Sequence, residues 1–181
     1  MEKELCTITE KLKDVPEGSC INIRHPLGRA DIITTASSES VPDSVRLKSE
    51  TFELYPGIEL SFHCYLADHF RIHHNHGVSV LSIDHCRAGR IGWEMKGGLS
   101  LYFGNGDLSF HYTDKCSDSD ITLPLGYYEG LSVALDLPVL QESLPELLRD
   151  AGVDVRDLCV KFCGKQETAA LPASSRIEHI F

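Results

Sequence analysis

The chain has 181 residues, 42% hydrophobic and 24% charged, enough for one core burying roughly 70% of the unfolded surface without help from disulfides or metal. Seventeen Lys and Arg stand against 27 Asp and Glu, a formal net charge of -10, and no window gathers the basic patch that phosphate binding requires, so this chain by itself is a poor nucleic-acid ligand. No apolar run approaches the roughly 20 residues of a membrane helix, and Met1-Glu-Lys-Glu-Leu-Cys6 is charged where a signal peptide turns apolar, which predicts a cytoplasmic protein whose seven scattered cysteines stay reduced.

Leu5, Ile8 and Leu12 recur at spacings of three and four, the pattern of a short amphipathic helix, with an unstructured arm as the alternative. Residues 1–50 read as that N-terminal arm followed by strands the pattern does not place. At Pro56-Gly57 a turn dipeptide opens a period-two strand, in which Ile58, Leu60, Phe62, Cys64 and Leu66 alternate with Glu59, Ser61, His63 and Tyr65. The same alternation returns in Leu81/Ile83/His85, Ile91/Trp93/Met95, Leu99/Leu101/Phe103, Leu108/Phe110/Tyr112, Ile121/Leu123/Leu125 and Leu131/Val133/Leu135/Leu137. Arg87-Ala-Gly-Arg90, Lys96-Gly-Gly98 and Gly104-Asn-Gly-Asp107 lie between these runs and carry the Gly or Asn of hairpin turns. Short strands at this spacing predict an antiparallel sandwich or barrel over residues 51–137.

Past Pro138 the period changes. Ser143-Leu-Pro-Glu146 has capping-box spacing for a helix that puts Leu140, Leu144, Leu147 and Leu148 on one face, closed by Gly152. Asp154 caps a second helix with Val155, Leu158, Cys159 and Phe162 on its stripe before Gly164. These two stripes, over residues 138–164, offer more apolar face than one layer on a sheet obviously consumes, which marks Leu140, Leu144, Leu147, Leu148, Val155, Leu158 and Phe162 as candidates for a homodimer interface, with a simple cap over the sandwich as the alternative. Residues 165–181 begin with linker composition and end in Arg176-Ile-Glu-His-Ile-Phe181, an apolar periodic segment left unfinished, as expected of a truncated chain.

Three segments together carry a resemblance: Leu81-Ser-Ile-Asp-His-Cys-Arg-Ala-Gly-Arg-Ile-Gly-Trp93, Leu101-Tyr-Phe-Gly-Asn-Gly-Asp-Leu-Ser-Phe-His111 and Leu123-Pro-Leu-Gly-Tyr-Tyr-Glu-Gly-Leu-Ser-Val-Ala-Leu-Asp136. A Cys-x-x-Gly-Arg strand end, a Gly-Asp turn and a Pro-x-x-x-Tyr-x-Gly strand in this order resemble the N-terminal domain of AraC-family transcriptional regulators, over about residues 55–181. The resemblance implies a mainly β, cupin-like antiparallel jelly roll followed by two short dimerising helices. It further implies a small-molecule effector, no enzymatic activity, and transcription regulation in which DNA is contacted only by a C-terminal domain that these residues do not include.

For the effector, strand parity selects Cys64, His85, Trp93 and Tyr112 as facing inward with the apolar rows, and places His63, Tyr65, Glu94 and His111 outside. With no Arg or Lys in phase, the lining suits an uncharged or aromatic metabolite rather than a phosphorylated one. The alternative is a stand-alone metal-dependent cupin enzyme using the His73-His-Asn-His76 cluster, in which His74, His76 and a distant His111 would be ligands. Leu81 occupies the position where the cupin metal pattern puts Glu, so the run reads as a solvated loop, with no metal and no cofactor. Cys159 and Cys163 are four apart and no Cys-x-x-Cys exists, which disfavours structural zinc. Phosphate-binding and serine-hydrolase motifs are absent from the sequence.

Overall fold

The computed structural model describes residues 2–27, 33–37, 44–72, 79–95, 100–112, 119–164 and 168–180. Helix α1 (Glu2–Lys11) opens the chain and settles the choice between helix and arm. Ten residues are marginal as an isolated helix, so tertiary contacts hold it. Ile8 and the following Leu12 are fully buried with Val15 and Tyr127, Lys11 grips both carboxylate oxygens of Glu129 at 2.8 Å, and the Tyr127 hydroxyl donates to Glu4 at 2.9 Å.

Among the described residues eleven strands then build one curled sheet. They are β1 (Ser19–His25), β2 (Ile33–Ser37), β3 (Arg46–Tyr55), β4 (Ile58–Leu66), β5 (His69–Ile72), β6 (Val80–Met95), β7 (Ser100–Gly104), β8 (Leu108–Tyr112), β9 (Ser119–Thr122), β10 (Tyr127–Asp136) and β11 (Thr168–Leu171). The main path runs β11-β8-β6-β10-β4-β3-β1-β2, and β5, β9 and β7 attach through the second half of β6. All pairs are antiparallel except β1 with β3, because β1 turns back into β2 before the chain returns to its other side. This is the expected mainly β, largely antiparallel class, and Pro56-Gly57 makes the expected tight turn between β3 and β4.

Strand β6 departs from the expected pattern. The hairpin expected at Arg87–Arg90 is not there: residues 80–95 are one strand with a corner in the middle. Its first half pairs with β10 and β8, its second with β7 and β9. At the corner the ladder skips a residue, since Glu129 faces Ala88 while Gly130 faces Cys86, which leaves Arg87 as an extra residue. Gly89 follows at φ +83, and a Cβ there would sit 2.3 Å from the Tyr127 carbonyl oxygen. Gly104–Asp107 is likewise a turn without being a hairpin. Strands β7 and β8 on its two sides both pair with β6, so the turn bends one continuous neighbour around the same corner. It is pinned there by Cys86 N–H to Asp107 O at 3.1 Å and Gly106 N–H to Cys86 O at 2.8 Å.

Helices α2 (Leu137–Glu142), α3 (Glu146–Asp150), α4 (Val155–Cys163) and α5 (Ser175–Ile180) follow. The capping box expected at Ser143 does not form, since Ser143 closes α2, whose N-cap is Asp136 accepting from Val139 N–H at 3.1 Å. Pro145 keeps the residue before it out of helical geometry, which divides the predicted helix into α2 and α3. Asp154 does cap α4, accepting from the N–H groups of Arg156 and Asp157. Part of the stretch read as linker is strand: β11 pairs with β8 across Thr168–Leu171, and Ala173 N–H then donates to Asp107 at the corner turn at 2.7 Å.

Both faces of the sheet are covered. Helices α2, α4 and α5 bury the face bearing Leu81, Leu108, Phe110 and Leu135, where Phe110 and Phe162 stack at 4.1 Å, and α1 covers the same face further along. The opposite, inner face curls around Val45, Leu47, Tyr65, Phe70, Cys86, Ile91, Phe103, Ile121 and Tyr128. Gly89→Ala combines a strained φ with a backbone clash and is expected to cost more than about 2 kcal/mol in urea denaturation. Gly152→Ala, at φ +66 with nothing within 4 Å, is expected to cost only about 1 kcal/mol.

Candidate functional site

The inner face holds a cavity of about 240 Å³ whose walls include His63, Tyr65, Ser82, Asp84, Trp93, His111, Tyr128 and Ser132. Register explains how they meet. Thr51, Ser61, Ser132, Asp84 and Ser109 lie directly opposite one another on β3, β4, β10, β6 and β8, so a polar row crosses five neighbouring strands. In the next row, Gly130 leaves the space where the Tyr128 ring lies, since a Cβ there would be 2.1 Å from its hydroxyl.

Asp84 is the centre of this row and only 5% exposed. Its Oδ1 accepts from the hydroxyls of Ser132 at 2.6 Å and Ser82 at 3.0 Å, and its Oδ2 from Ser109 at 3.3 Å. Burial raises its pKa above the usual carboxylate value, and the three hydroxyl donors oppose that rise. Ser132 spends its single hydrogen on Asp84, so its oxygen accepts from His63 Nε2–H at 2.9 Å. In the neutral ring His63 Nδ1 is the acceptor, with its one lone pair within reach of the Tyr65 hydroxyl at 2.8 Å and the Ser49 hydroxyl at 2.9 Å, which are themselves hydrogen-bonded at 3.1 Å. A neutral ring with this tautomer satisfies every member. His63 is half-buried and lines the cavity, and burial lowers its pKa to about 4. Trp93 and His111 tilt together at 5.5 Å, and Tyr65 stacks on Tyr128 at 5.7 Å.

Of the four residues that parity selects as inward, only Trp93 lines this cavity. Cys64 packs toward α1 with Ile8, Leu12 and Val15, Tyr112 joins the cluster under the C-terminal helices, and His85 shares the outer row of Glu50, Phe62 and Leu131. His63, Tyr65 and His111, assigned outward, are on the inner wall. The cause is twofold. Apolar rows mark the helix-covered face as readily as the interior, and the extra residue at Arg87 inverts parity within β6, so that Asp84 and Trp93 share a cavity despite their odd spacing. Asp84 and Ser132 were missed for the same reason, although small hydroxyls recurring at period two in apolar strands were a readable signal.

The dimer candidates are largely consumed within the chain. Leu140 and Val155 are buried, and Leu144, Leu148, Leu158 and Phe162 pack against the same cluster, while Leu147 remains 66% exposed. His73, His74, His76 and Cys116, and the turn expected at Lys96–Gly98, lie outside the described residues. Among the described residues no group of three or more His, Cys, Asp or Glu could hold a metal ion. Burial pushes the Cys86 thiol up to about 12 and the Cys64 thiol up to about 11, opposite to nucleophile activation. Among the described residues no helix is long and apolar enough to cross a membrane.

By its topology the chain is a mainly β domain, a curled sheet around an inner cavity with short helices at its C-terminal side. No family model matches it, and no curated protein does. Among solved structures it is similar to EutQ of Clostridium difficile (TM-score 0.41, 14% identity, over 54% of this chain and 74% of that one). It is also similar to a Cupin 2 conserved barrel domain protein of Salinispora arenicola CNS-205 (0.41, 18%, 53% and 81%), and to an HTH_3 family transcriptional regulator of Vibrio cholerae (0.39, 14%, 53% and 54%).

The lowered pKa of His63 fixes a pH dependence. The folded chain holds this ring neutral while the unfolded chain protonates it near 6.5, so the stability it contributes is present above pH 6.5 and lost as pH falls through about 4. Urea titrations from pH 7 to 4 are expected to show up to about 3 kcal/mol of loss in wild type that His63→Gln lacks. Equal losses in both proteins would contradict the buried neutral imidazole.

Proposed function

We propose that this chain is the ligand-sensing, dimerising half of a regulator resembling the AraC family, and that it binds a small molecule without converting it. The observation that carries the reading is the inner cavity, closed by aromatic rings and floored by a satisfied polar network, the make-up of a small-molecule site. Binding rather than catalysis is supported by the network itself, since the Ser132 hydroxyl hydrogen is held by Asp84 and the thiols at Cys64 and Cys86 are buried in their protonated form. No Arg or Lys is among the described lining residues, which speaks against a phosphorylated ligand. In this reading two copies meet through the helical segment, where Leu147 and Val160 are the large apolar side chains left open, and DNA contact belongs to a separate domain.

A thermal-shift screen of sugars, amines and aromatic metabolites tests it. At a hundredfold excess over Kd a ligand adds about 2.7 kcal/mol, several degrees for a chain of this size. Trp93→Ala is expected to abolish the shift and Tyr112→Phe, on the outer face, to leave it. A stabilising compound indifferent to Trp93→Ala would move the site elsewhere. Near-stoichiometric bound iron, manganese, nickel or zinc in protein purified without chelators would favour the metal-dependent enzyme instead.

A further inference from the structure

The charge distribution inside the cavity narrows the ligand class. A carboxylate 5% exposed normally has a cationic partner, because desolvating an ion costs several kcal/mol. Asp84 has three serine hydroxyls instead, and among the described residues no Lys or Arg lines its cavity. The imidazole linked to it through Ser132 does not supply the charge at neutral pH either, since burial lowers its pKa to about 4. Because Ser82 and Ser132, the two of these serines on the cavity wall, point their hydrogens at Asp84, what they turn to an incoming molecule is oxygen lone pairs, which match a donor-rich ligand and repel an anion. The remaining walls are the rings of Trp93, Tyr65 and Tyr128, whose faces attract a cation within about 6 Å.

We propose, resting on the ligand-binding reading above, that the cavity takes a small organic cation, a protonated amine or quaternary ammonium, seated between the Asp84 carboxylate and the aromatic walls of Trp93, Tyr65 and Tyr128. At about 240 Å³ the space admits a head group with a few further heavy atoms and excludes a long polyamine in folded form. A bound cation favours the ionised form of Asp84 against the burial that raises its pKa, and the Asp84 row gives selectivity against neutral molecules of the same shape.

Matched probes decide it. Calorimetry on the full chain compares choline with its uncharged isostere 3,3-dimethylbutan-1-ol, alongside tetramethylammonium and propylamine. The expected result is that at least one cation binds, that choline binds at least about tenfold tighter than the isostere, that Asp84→Asn removes this preference, and that Trp93→Leu weakens cation binding by about three- to thirtyfold. If Asp84→Asn does not fold, the wild-type ratio and its fall in Trp93→Leu carry the test. Equal or tighter binding of the isostere, a cation preference that survives Asp84→Asn, or no binding by any of the cations overturns the cation assignment. An uncharged hit in the metabolite screen would still leave the ligand-binding reading standing, whereas loss of both would remove the cavity as a site.

Discussion

The corner in β6 is the constraint on which the rest of the molecule depends. One extra residue, Arg87, lets a single strand leave one ladder and enter another, and the fold is arranged so that this bend has backbone partners on both sides. Tyr127 and Gly130 of β10 lie against it from one direction, and the Gly104–Asp107 turn hydrogen-bonds Cys86 from the other. Even the C-terminal segment returns to it, through the Ala173 amide on Asp107. Without the bend, the first half of β6 would keep Asp84 on a wall with nothing facing it. With it, Ile91 and Trp93 fold over that wall and enclose the space.

That geometry explains why three weak sequence motifs occur together. Cys86-Arg-Ala-Gly-Arg90, Gly104-Asn-Gly-Asp107 and Pro124-Leu-Gly-Tyr-Tyr-Glu-Gly130 are separated along the chain by many residues, yet each supplies one part of the corner. Gly89 is required by the Tyr127 carbonyl, and Gly130 by the ring of Tyr128. Read singly they resemble hairpin turns, because glycine at positive φ is the usual mark of one. Their pairing with β6 rather than with each other is a long-range fact that no local window contains.

Other features were legible because local chemistry decides them. The strand at Ile58, the Pro56-Gly57 turn, the Asp154 cap and the amphipathic spacing of Ile8 and Leu12 all follow from short-range rules, and the structure bears them out. The inner wall was not legible in the same way. In a sheet with one solvated face, alternation separates inside from outside, whereas here helices α1, α2, α4 and α5 bury the second face. Leu81, Ile83 and Leu135 therefore form an apolar row that belongs under the helices, and the cavity is lined by the opposite, hydroxyl-rich row. Asp84, buried and hydrogen-bonded to three hydroxyls, and His63, hydrogen-bonded at both ring nitrogens, stand on the wall that faces the cavity, and it is this hydrogen bonding that offsets the cost of taking polar groups out of water.

The extra residue at Arg87 turns Trp93 toward the Asp84 wall. Trp93 is the single tryptophan, so its indole signals are unambiguous in proton NMR. A nuclear Overhauser measurement on the isotopically labelled chain is expected to connect the Trp93 indole with the His111 ring, whose centroid lies 5.5 Å away, and with Phe103 at 5.2 Å. Contacts from the indole to Leu81, Leu135 or Phe162 would put Trp93 on the helix-covered face, and the corner, the cavity and the site built on it would be wrong.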